Sequence, residues 1–418
     1  MPDAHFLFKR NGSTLLLLAA VVGLLVAAIQ TTQAQTFTVL YSFCSQANCA
    51  DGASPTDALV EDGSGNLYGT AEYGGGGKVG TVFEFTTTGT FKVLHTFTGG
   101  ADGQYPSGLV FDTKGNLYGT TLQGGTTNNG VVYEITSSGT EKVLYSFTGL
   151  NDGGYPAGPL VLDGAGNLYG VTSDGGPYEC FEEYGCGTVF ELSPSGVETT
   201  LWAFTGGADD GNPYAGVVRD AQGNLYGTTG QSGDFGPFPG TVFKLTPAGV
   251  ETQLYSFTGE KDGSGPEAAL LRDAAGNIYG TTYYGGVESC YDEMQNGCGV
   301  VFEITSKGKE KTVHRFTGKK PGGYPTTGVV EDAAGNLYGT TPYGGNNKAC
   351  SNYTANGCGV IYEIQKVGGK EVVLYTFTGG ADGKYPAGAL LPDGKGNFYG
   401  TNTQGGAGLN GVLFKLVP

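Results

Sequence analysis

The residues best suited to ligand chemistry lie in four long segments that mix aromatic rings with carboxylates and amides. The segments are 173–186, 230–240, 283–298 and 342–358. Flat aromatic faces stack on sugar rings or extended peptides, and polar side chains hydrogen-bond their edges. We therefore predict a ligand-binding set in these segments, with packing of the loops against one another as the alternative. The predicted residues are Asp174, Tyr178, Phe181, Tyr184, Asp234, Phe235, Phe238, Tyr284, Tyr291, Asp292, Tyr343 and Tyr353.

The same segments supply carboxylates that are suited to acid–base chemistry. Asp174, Glu182, Asp234 and Asp292 come from different segments and could converge in the folded chain. Glycan hydrolysis uses two carboxyl groups, and their separation decides the chemistry. Sequence spacing does not supply that separation, so a glycan-active hydrolase or lyase remains an alternative.

Other signatures of catalysis are missing from the sequence. Downstream of Ala34 only two histidines remain, His95 and His314, and other units hold Tyr or Trp at the same position. A Ser-His-Asp triad therefore has no good candidate, and neither HExxH nor a glycine-rich phosphate loop occurs. The sequence predicts no catalytic residue, no metal site and no cofactor, and it favours a binding protein over an enzyme.

The eight cysteines form four close pairs in the chain. The pairs have four, five, seven and seven intervening residues, against two to four in typical zinc ligand pairs, and an even count in an exported chain is typical of disulfides. We predict four local disulfides, each worth roughly 2–3 kcal/mol on the chain-entropy estimate, that stiffen loops. The predicted pairs are Cys44/Cys49, Cys180/Cys186, Cys290/Cys298 and Cys350/Cys358.

A repeat organises the elements that position these segments. "GNLYGT" or a near copy occurs seven times along the chain. Each unit contains four short runs rich in β-branched and aromatic residues, bounded by turn residues, which we name strands a, b, c and d. In the second unit these runs are "SGLVFD", "GNLYGTT", "GVVYEIT" and "EKVLYSFTG". The copies start at Gly65, Gly115, Gly166, Gly223, Gly276, Gly335 and Gly396.

The order of the runs predicts an all-β, seven-bladed propeller with four antiparallel strands in each blade. The chain opens on a strand d at 36–43 and closes on a strand c at 411–417. We therefore predict that strand 36–43 pairs with the last blade and closes the ring, which removes the exposed sheet edges. We number the blades 1 to 7 by their copies of the repeat, and the propeller is predicted to be a single domain over 35–418.

The loops of such a propeller divide between two faces. The a–b and c–d joints are short and uniform, whereas the b–c and d–a joints are long, varied and hold all eight cysteines. Binding sites favour variable loops on a rigid scaffold. We therefore expect the b–c/d–a face of blades 3 to 6 to bind the ligand.

The repeat resembles a known family. "GNLYGTT", a following "GG", "GxVFEI" and "VLYSFTG" look like the GloVer (Gloeo_Verruco-type) tandem repeat of exported bacterial proteins, over essentially all of 36–418. The resemblance implies a propeller-like architecture and export. It implies no reaction, because the family carries none that can be transferred.

The net charge and the N-terminal segment restrict the classes of partner that we expect. The formal net charge is −17, which excludes nucleic acid and anionic membrane as expected partners because phosphate binding needs a basic surface. The segment 1–34 combines Lys9 and Arg10 with an apolar run and a small-residue site near Ala34, as in a signal peptide. We expect a secreted or periplasmic protein without a membrane span after cleavage; a retained anchor is the alternative.

Three functions therefore remain open. The preferred one is a secreted propeller that binds an extracellular glycan or protein. The others are the glycan-active hydrolase or lyase and a structural or adhesive protein of the cell exterior. Sequence alone leaves the ligand and the oligomeric state undetermined.

Overall fold

The structure is a computed structural model, and it describes residues 35–180, 185–230, 239–286, 297–345, 350 and 357–418. These residues form seven four-stranded antiparallel sheets, each with the strand order a-b-c-d. The predicted seven-bladed propeller is confirmed.

The strands form four concentric rings, from the centre of the propeller to its outer edge. The inner strands a are β2 (Val60–Glu61), β6 (Gln104–Phe111), β10 (Gly154–Leu162), β14 (Val218–Arg219), β18 (Leu271–Arg272), β22 (Val330–Glu331) and β26 (Lys384–Pro392). Strands b are β3 (Leu67–Ala71), β7 (Leu117–Gln123), β11 (Leu168–Asp174), β15 (Leu225–Thr229), β19 (Ile278–Thr282), β23 (Leu337–Thr341) and β27 (Phe398–Gln404). Strands c are β4 (Thr81–Phe85), β8 (Val131–Ile135), β12 (Thr188–Leu192), β16 (Thr241–Leu245), β20 (Val300–Ile304), β24 (Val360–Ile364) and β28 (Val412–Val417). The outer strands d are β5 (Phe91–Thr96), β9 (Glu141–Ser146), β13 (Glu198–Ala203), β17 (Glu251–Ser256), β21 (Glu310–Arg315), β25 (Glu371–Thr376) and β1 (Thr36–Ser42).

The two ends of the chain share blade 7. Strand β1 pairs antiparallel with β28, from Thr36 opposite Val417 to Ser42 opposite Val412. Phe37 of β1 stacks on Tyr375 of blade 6 at a centroid distance of 4.0 Å. The predicted closure is therefore confirmed: β28 is paired on both sides, and β1 completes blade 7 as its outer strand.

The glycine in the middle of each "GNLYGT" strand lets an aromatic ring of strand c lie flat on strand b. A Cβ on Gly170 would lie 2.6 Å from Cζ of Phe190 and 2.8 Å from Cδ2 of Leu160. Phe190 is fully buried. The same contact recurs in all seven blades, which explains why the repeat requires glycine there.

The a–b turn that precedes this strand is held by hydrogen bonds to its own aspartate. In blade 1 the Asp62 carboxylate accepts hydrogen bonds from the backbone N–H groups of Ser64 and Asn66, at 2.8 and 2.9 Å. The Asn66 side chain donates to Asp62 and accepts from the backbone N–H of Thr87, so it joins the a–b turn to the c–d turn. Burial alone would raise the pKa of Asp62, but these hydrogen bonds lower it below its usual value.

Three inner strands are longer than predicted. In blade 2, strand β6 begins at Gln104, upstream of the predicted "SGLVFD" run. Blades 3 and 7 show the same extension in β10 and β26. In each of these blades the segment around the proline pairs with the end of strand b beyond a register shift, and this pairing extends the inner strand toward the b–c/d–a face.

Candidate ligand site at the mouth of the central channel

A cavity of about 360 Å³ opens at the centre of the propeller. Its walls are mostly Ala, Gly, Pro and Thr from the start of strand a in every blade. The larger residues in this lining are Asp57, Glu72, Tyr105, Leu122, Tyr214 and Glu267. The volume is at the lower end of the range for ligand pockets, and convergent polar groups in such a pocket are typical of binding sites.

One backbone device recurs seven times on the b–c/d–a face, and we call its seven positions the rim. Each blade has a proline within the first residues of strand a or five residues upstream of it, and the residue before that proline has positive φ, between 52° and 64°. Its N–H donates to a carbonyl in the b–c segment of the preceding blade, as Tyr324 does to Cys298 at 2.8 Å. The proline ring then packs on that blade's glycine, where a Cβ on Gly299 would lie 2.8 Å from Cδ of Pro325. The seven positions are Ser54, Tyr105, Tyr155, Asn212, Gly265, Tyr324 and Tyr385.

Four of these positions carry tyrosine, a bulky residue that rarely adopts positive φ. The inter-blade hydrogen bond holds the backbone in this conformation. Strained backbone of this kind is concentrated at binding and catalytic sites. The rim tyrosines Tyr105, Tyr155 and Tyr385 remain partly exposed, whereas Tyr324 is buried.

A carboxyl group and two tyrosines converge in blade 5. A methyl group on Gly265 would lie 3.6 Å from Oε1 of Glu267, 3.7 Å from Cβ of Tyr283 and 3.9 Å from Cδ2 of Tyr284. Burial raises the pKa of Glu267 to about 7, so this carboxyl group exchanges a proton near neutral pH. Burial and the neighbouring tyrosines and Glu267 also raise the pKa of Tyr283.

The tyrosines continue across three blades as one cluster. Tyr324 of blade 6 lies 5.3 Å from Tyr283 and 5.9 Å from Tyr343, measured between ring centroids. Tyr343 in turn lies 5.6 Å from Tyr385 of blade 7. These distances and the edge-on or tilted ring orientations are those of favourable aromatic pairs. We call Tyr283, Tyr284, Tyr324, Tyr343 and Tyr385 the tyrosine platform.

Blades 1 and 2 hold a smaller aromatic group next to the cavity, whose wall includes Glu72 and Tyr105. The Tyr73 ring lies 5.5 Å from that of Tyr105, and its hydroxyl hydrogen-bonds Glu72. That hydrogen bond, with burial, raises the pKa of Tyr73 to about 12. Burial raises the pKa of Glu72, against the effect of the Tyr73 bond and together with the charge of Asp57.

Asp57 joins blades 1 and 2 at the cavity wall. Its carboxylate accepts hydrogen bonds from Thr70 at 3.2 Å and from Ser107 at 3.3 Å. Burial raises its pKa even so, because the hydrogen bonds from Thr70, Ser107 and the Gly108 backbone only partly offset the desolvation. This carboxyl group is therefore held by its neighbours, whereas burial is the only cause that shifts the pKa of Glu267.

The residues predicted from sequence have different positions in the fold. Tyr284 and Tyr343 belong to the tyrosine platform. Asp174 ends strand β11 and accepts a long hydrogen bond of 3.4 Å from the Asn212 side chain. Tyr178 is 48% exposed in the b–c loop of blade 3. Phe181, Tyr184, Asp234, Phe235, Phe238, Tyr291, Asp292 and Tyr353 lie outside the described residues.

The structure describes three of the four predicted disulfide pairs. Cys44–Cys49, Cys180–Cys186 and Cys350–Cys358 are bonded. Cys290 lies outside the described residues. The sulfurs of the Cys350–Cys358 bond pack against Gly379, which follows strand d of the same blade. This bond therefore ties the b–c loop of blade 6 to the d–a turn that leads to Tyr385.

Sequence reasoning missed Glu267, Glu72 and three residues of the tyrosine platform, Tyr283, Tyr324 and Tyr385. The sequence did contain a signal for Glu267, because this residue follows the strand-a proline, where the other blades hold Ser, Thr, Ala or Tyr. Glu72 likewise departs from a position that holds Leu, Ser, Gly, Tyr, Pro or Thr elsewhere. Tyr324 gave no such signal, because three other blades carry tyrosine before the same proline and only the fold places it between two b–c tyrosines.

Two further observations concern the described part of the chain. Within it, no group of three or more His, Cys, Asp or Glu side chains is arranged to hold a metal ion. Of the helices formed by these residues, none has the length and hydropathy to cross a bilayer.

Comparison with known proteins gives a family and a fold. The chain matches the Gloeobacter/Verrucomicrobia repeat over residues 26–182 and 179–354. No curated protein matches its sequence.

The extracellular domain of BT4673 from B. thetaiotaomicron, a protein assigned to the hybrid two-component systems, superposes with a TM-score of 0.54 at 11% identity, covering 91% of this chain and 39% of that one. A gluconolactonase from Xanthomonas campestris has a TM-score of 0.42 at 16% identity, over 73% of this chain and 86% of that one. The PQQ-bound aldose sugar dehydrogenase from Streptomyces coelicolor has a TM-score of 0.45 at 13% identity, over 75% and 93%. At these identities the similarity concerns the fold alone.

Proposed function

The chain belongs to the Gloeobacter/Verrucomicrobia repeat family, and from that premise we propose that it is an exported propeller that binds an extracellular glycan at the mouth of its central channel. The ligand lies on the b–c/d–a face, in contact with the loops of blades 3 to 6 and with the adjoining rim of blade 7. The observation that carries this proposal is the tyrosine platform beside Glu267.

The chemistry of the rim favours a sugar. Partly exposed tyrosine rings present apolar faces to the C–H groups of a pyranose, and their hydroxyls bond its polar edge. Carboxyl groups such as Glu267 and Glu72 accept hydrogen bonds from sugar hydroxyls when ionised. Three carboxyl groups line the cavity and the whole chain carries −17, so neutral or amino sugars fit better than sulfated or phosphorylated ones.

Export is supported by the N-terminal segment outside the propeller and by the disulfides. The segment 1–34 has the pattern of a signal peptide, and three of the predicted disulfides are bonded. Mass spectrometry of the protein recovered outside a producing bacterium should find an N-terminus near Gln35. Recovery of the intact N-terminus from the membrane fraction would contradict export of a free protein.

A glycan-array screen of the full oxidised chain tests the binding proposal. We expect hits among neutral or amino-sugar glycans, and loss of those hits in a Tyr283→Ala/Tyr343→Ala variant. Val197→Ala/Val250→Ala is the matched control, because both valines are exposed on c–d turns at the opposite face. An array without hits, together with binding to a protein partner, would replace the glycan by a protein ligand.

Glycan hydrolysis or lysis is a second candidate, and Glu267 favours it. A carboxyl group with a pKa of about 7 is suited to act as a general acid at neutral pH, and Glu72 lines the same cavity. The test is turnover of the glycans that the array identifies. Loss of turnover with retained binding in Glu267→Gln would assign the acid role, whereas product formation unchanged by Glu267→Gln would exclude it.

A further inference from the structure

Grooves between neighbouring blades open on the a–b/c–d face, opposite the channel mouth. Cavities of about 510 Å³, 710 Å³ and 640 Å³ lie in the grooves between blades 1 and 2, between blades 2 and 3, and between blades 5 and 6, respectively. Each is large enough for a monosaccharide or a short oligosaccharide. We call them the open grooves.

The open grooves share one set of side chains because each is built from the same repeat positions. Each is lined by the aspartate of an a–b turn, the tyrosine of strand b, a glutamate of strand c and a lysine of strand d. In the groove between blades 2 and 3 the last two are Glu134 and Lys142, which lie opposite each other in the sheet. Leu144 and Leu162 add an apolar wall.

The glutamate and lysine occur together in the blades that form these grooves. Glu84 lies opposite Lys92 in blade 1, and in blade 5 the Glu303 carboxylate lies 3.3 Å from the Lys311 ammonium. Blade 3 instead places Thr199 opposite Glu191. Blade 4 has Thr252 opposite Lys244, so it lacks the carboxylate.

In two other grooves the residue before the repeat aspartate is an arginine that covers the strand-b tyrosine. Between blades 3 and 4 this residue is Arg219, whose guanidinium lies 5.4 Å from the Tyr169 ring centroid and 3.9 Å from the Asp163 carboxylate. Between blades 4 and 5 Arg272 covers Tyr226 in the same way, at 5.5 Å. A cation over the ring occupies the face on which a ligand would stack.

The open grooves between blades 1 and 2 and between blades 2 and 3 have apolar residues at that position. Phe111 packs edge-on against Tyr68 at 4.9 Å, and Leu162 is partly buried against blade 2. These side chains form part of the groove wall and leave room beside it. The two grooves filled by arginine therefore show, within the same chain, how an open groove can be closed.

We propose that the three open grooves form a second, repeated carbohydrate-binding surface, in which each groove takes one neutral hexopyranose unit. A paired carboxylate and ammonium offer both acceptors and donors to sugar hydroxyls at little net charge, and the leucine wall accepts the apolar face of the ring. Three weak sites on one rigid face suit a polysaccharide with repeating units, since linked sites raise the avidity of the whole. This surface is independent of the channel-mouth site.

Saturation-transfer NMR with the methyl glycosides of glucose, galactose and mannose tests the proposal. The measurement uses the full chain carrying Tyr283→Ala/Tyr343→Ala, so that binding at the channel mouth does not contribute. Phe111→Arg/Leu162→Arg fills two grooves as Arg219 and Arg272 fill theirs. For independent sites of equal strength the signal should fall by about two thirds. Val197→Arg/Val250→Arg adds the same charge to exposed positions of this face and should leave the signal unchanged.

A gain-of-binding variant keeps the test valid if the arginine pair disturbs folding. Arg219→Leu with Thr199→Lys opens the groove between blades 3 and 4 and supplies the missing lysine, so the signal should rise by about a third. Absence of a signal from all three glycosides would overturn the proposal. A signal that neither groove variant changes would also overturn it.

Discussion

The ring of Tyr324 lies 5.3 Å from that of Tyr283, although the two residues belong to different blades. Tyr324 reaches this position because its backbone adopts φ 59° and donates its N–H to Cys298 of blade 5. The device that locks two blades together is therefore the same one that aligns the tyrosine platform. The hydrogen bond between Tyr324 and Cys298 therefore both joins blades 5 and 6 and fixes the position of a ring in the candidate site.

The platform predicts different costs for side chains on the two faces of the propeller. Tyr343→Ala removes a partly exposed ring that links Tyr324 to Tyr385, and we expect the affinity for the glycan to fall about tenfold or more. Val250→Ala removes an exposed side chain from a c–d turn of the opposite face and serves as the control, with less than a twofold change. Titration calorimetry measures both. Equal affinities of the two variants would mean that the ligand does not contact the platform.

The close approach of Gly170 and Phe190 predicts a stability effect specific to strand b. In Gly170→Ala the new methyl group would overlap the Phe190 ring, and the free energy of unfolding should fall by about 1–3 kcal/mol. Gly164→Ala is the control, because no atom lies within 4 Å of its Cβ and its φ is ordinary. Urea unfolding of both variants checks the prediction, which is contradicted if the Gly164 variant loses as much.

Ring closure predicts that the N-terminal strand contributes to the stability of the whole propeller. Phe37→Ala removes a ring that contacts Tyr375 and, at 5.2 Å, Phe414, and should cost about 2–3 kcal/mol. Val197→Ala, at an exposed turn, should be neutral. Calorimetric unfolding distinguishes them. A Phe37 variant that unfolds with the enthalpy and midpoint of the parent would mean that β1 adds nothing to closure.

Glu267 predicts a pH dependence with a definite sign. Its pKa is about 7 in the folded chain against 4.5 for the unperturbed group, so the folded state binds its proton more tightly than the unfolded state. Its contribution to stability is therefore greatest below pH 4.5 and is lost as the pH rises to about 7. Glu267→Gln should gain stability relative to the parent over this window, by about 1–3 kcal/mol after allowance for solvent in the channel. Urea unfolding at pH 5 and pH 8 measures the difference, which should be larger at pH 8; a constant difference would contradict the buried carboxyl group.

The architecture was predictable because each blade repeats the same local signals. The "GNLYGT" copies and the turn residues predict all the strands in order, and the strand d upstream of blade 1 supplies the fourth strand of blade 7. The starts of β6, β10 and β26 were placed too late, because the segment around each strand-a proline pairs across a register shift that proline does not signal.

The candidate site was predictable only in part. Tyr284 and Tyr343 are predicted because they lie in b–c loops of unusual length. Tyr324 and Tyr385 follow the repeat, and their role depends on positive φ and on contacts across blades, which no local pattern encodes. Glu267 differs from its counterparts in the other blades, but its raised pKa results from burial in the assembled ring.

The most direct test of the account is the binding isotherm of the full chain for the glycan that gives the strongest array signal, measured beside Tyr283→Ala/Tyr343→Ala. The account predicts saturable binding that weakens by about two orders of magnitude in the variant, while the unfolding transition stays cooperative. Equal isotherms for the two proteins would contradict a glycan site at the mouth of the channel.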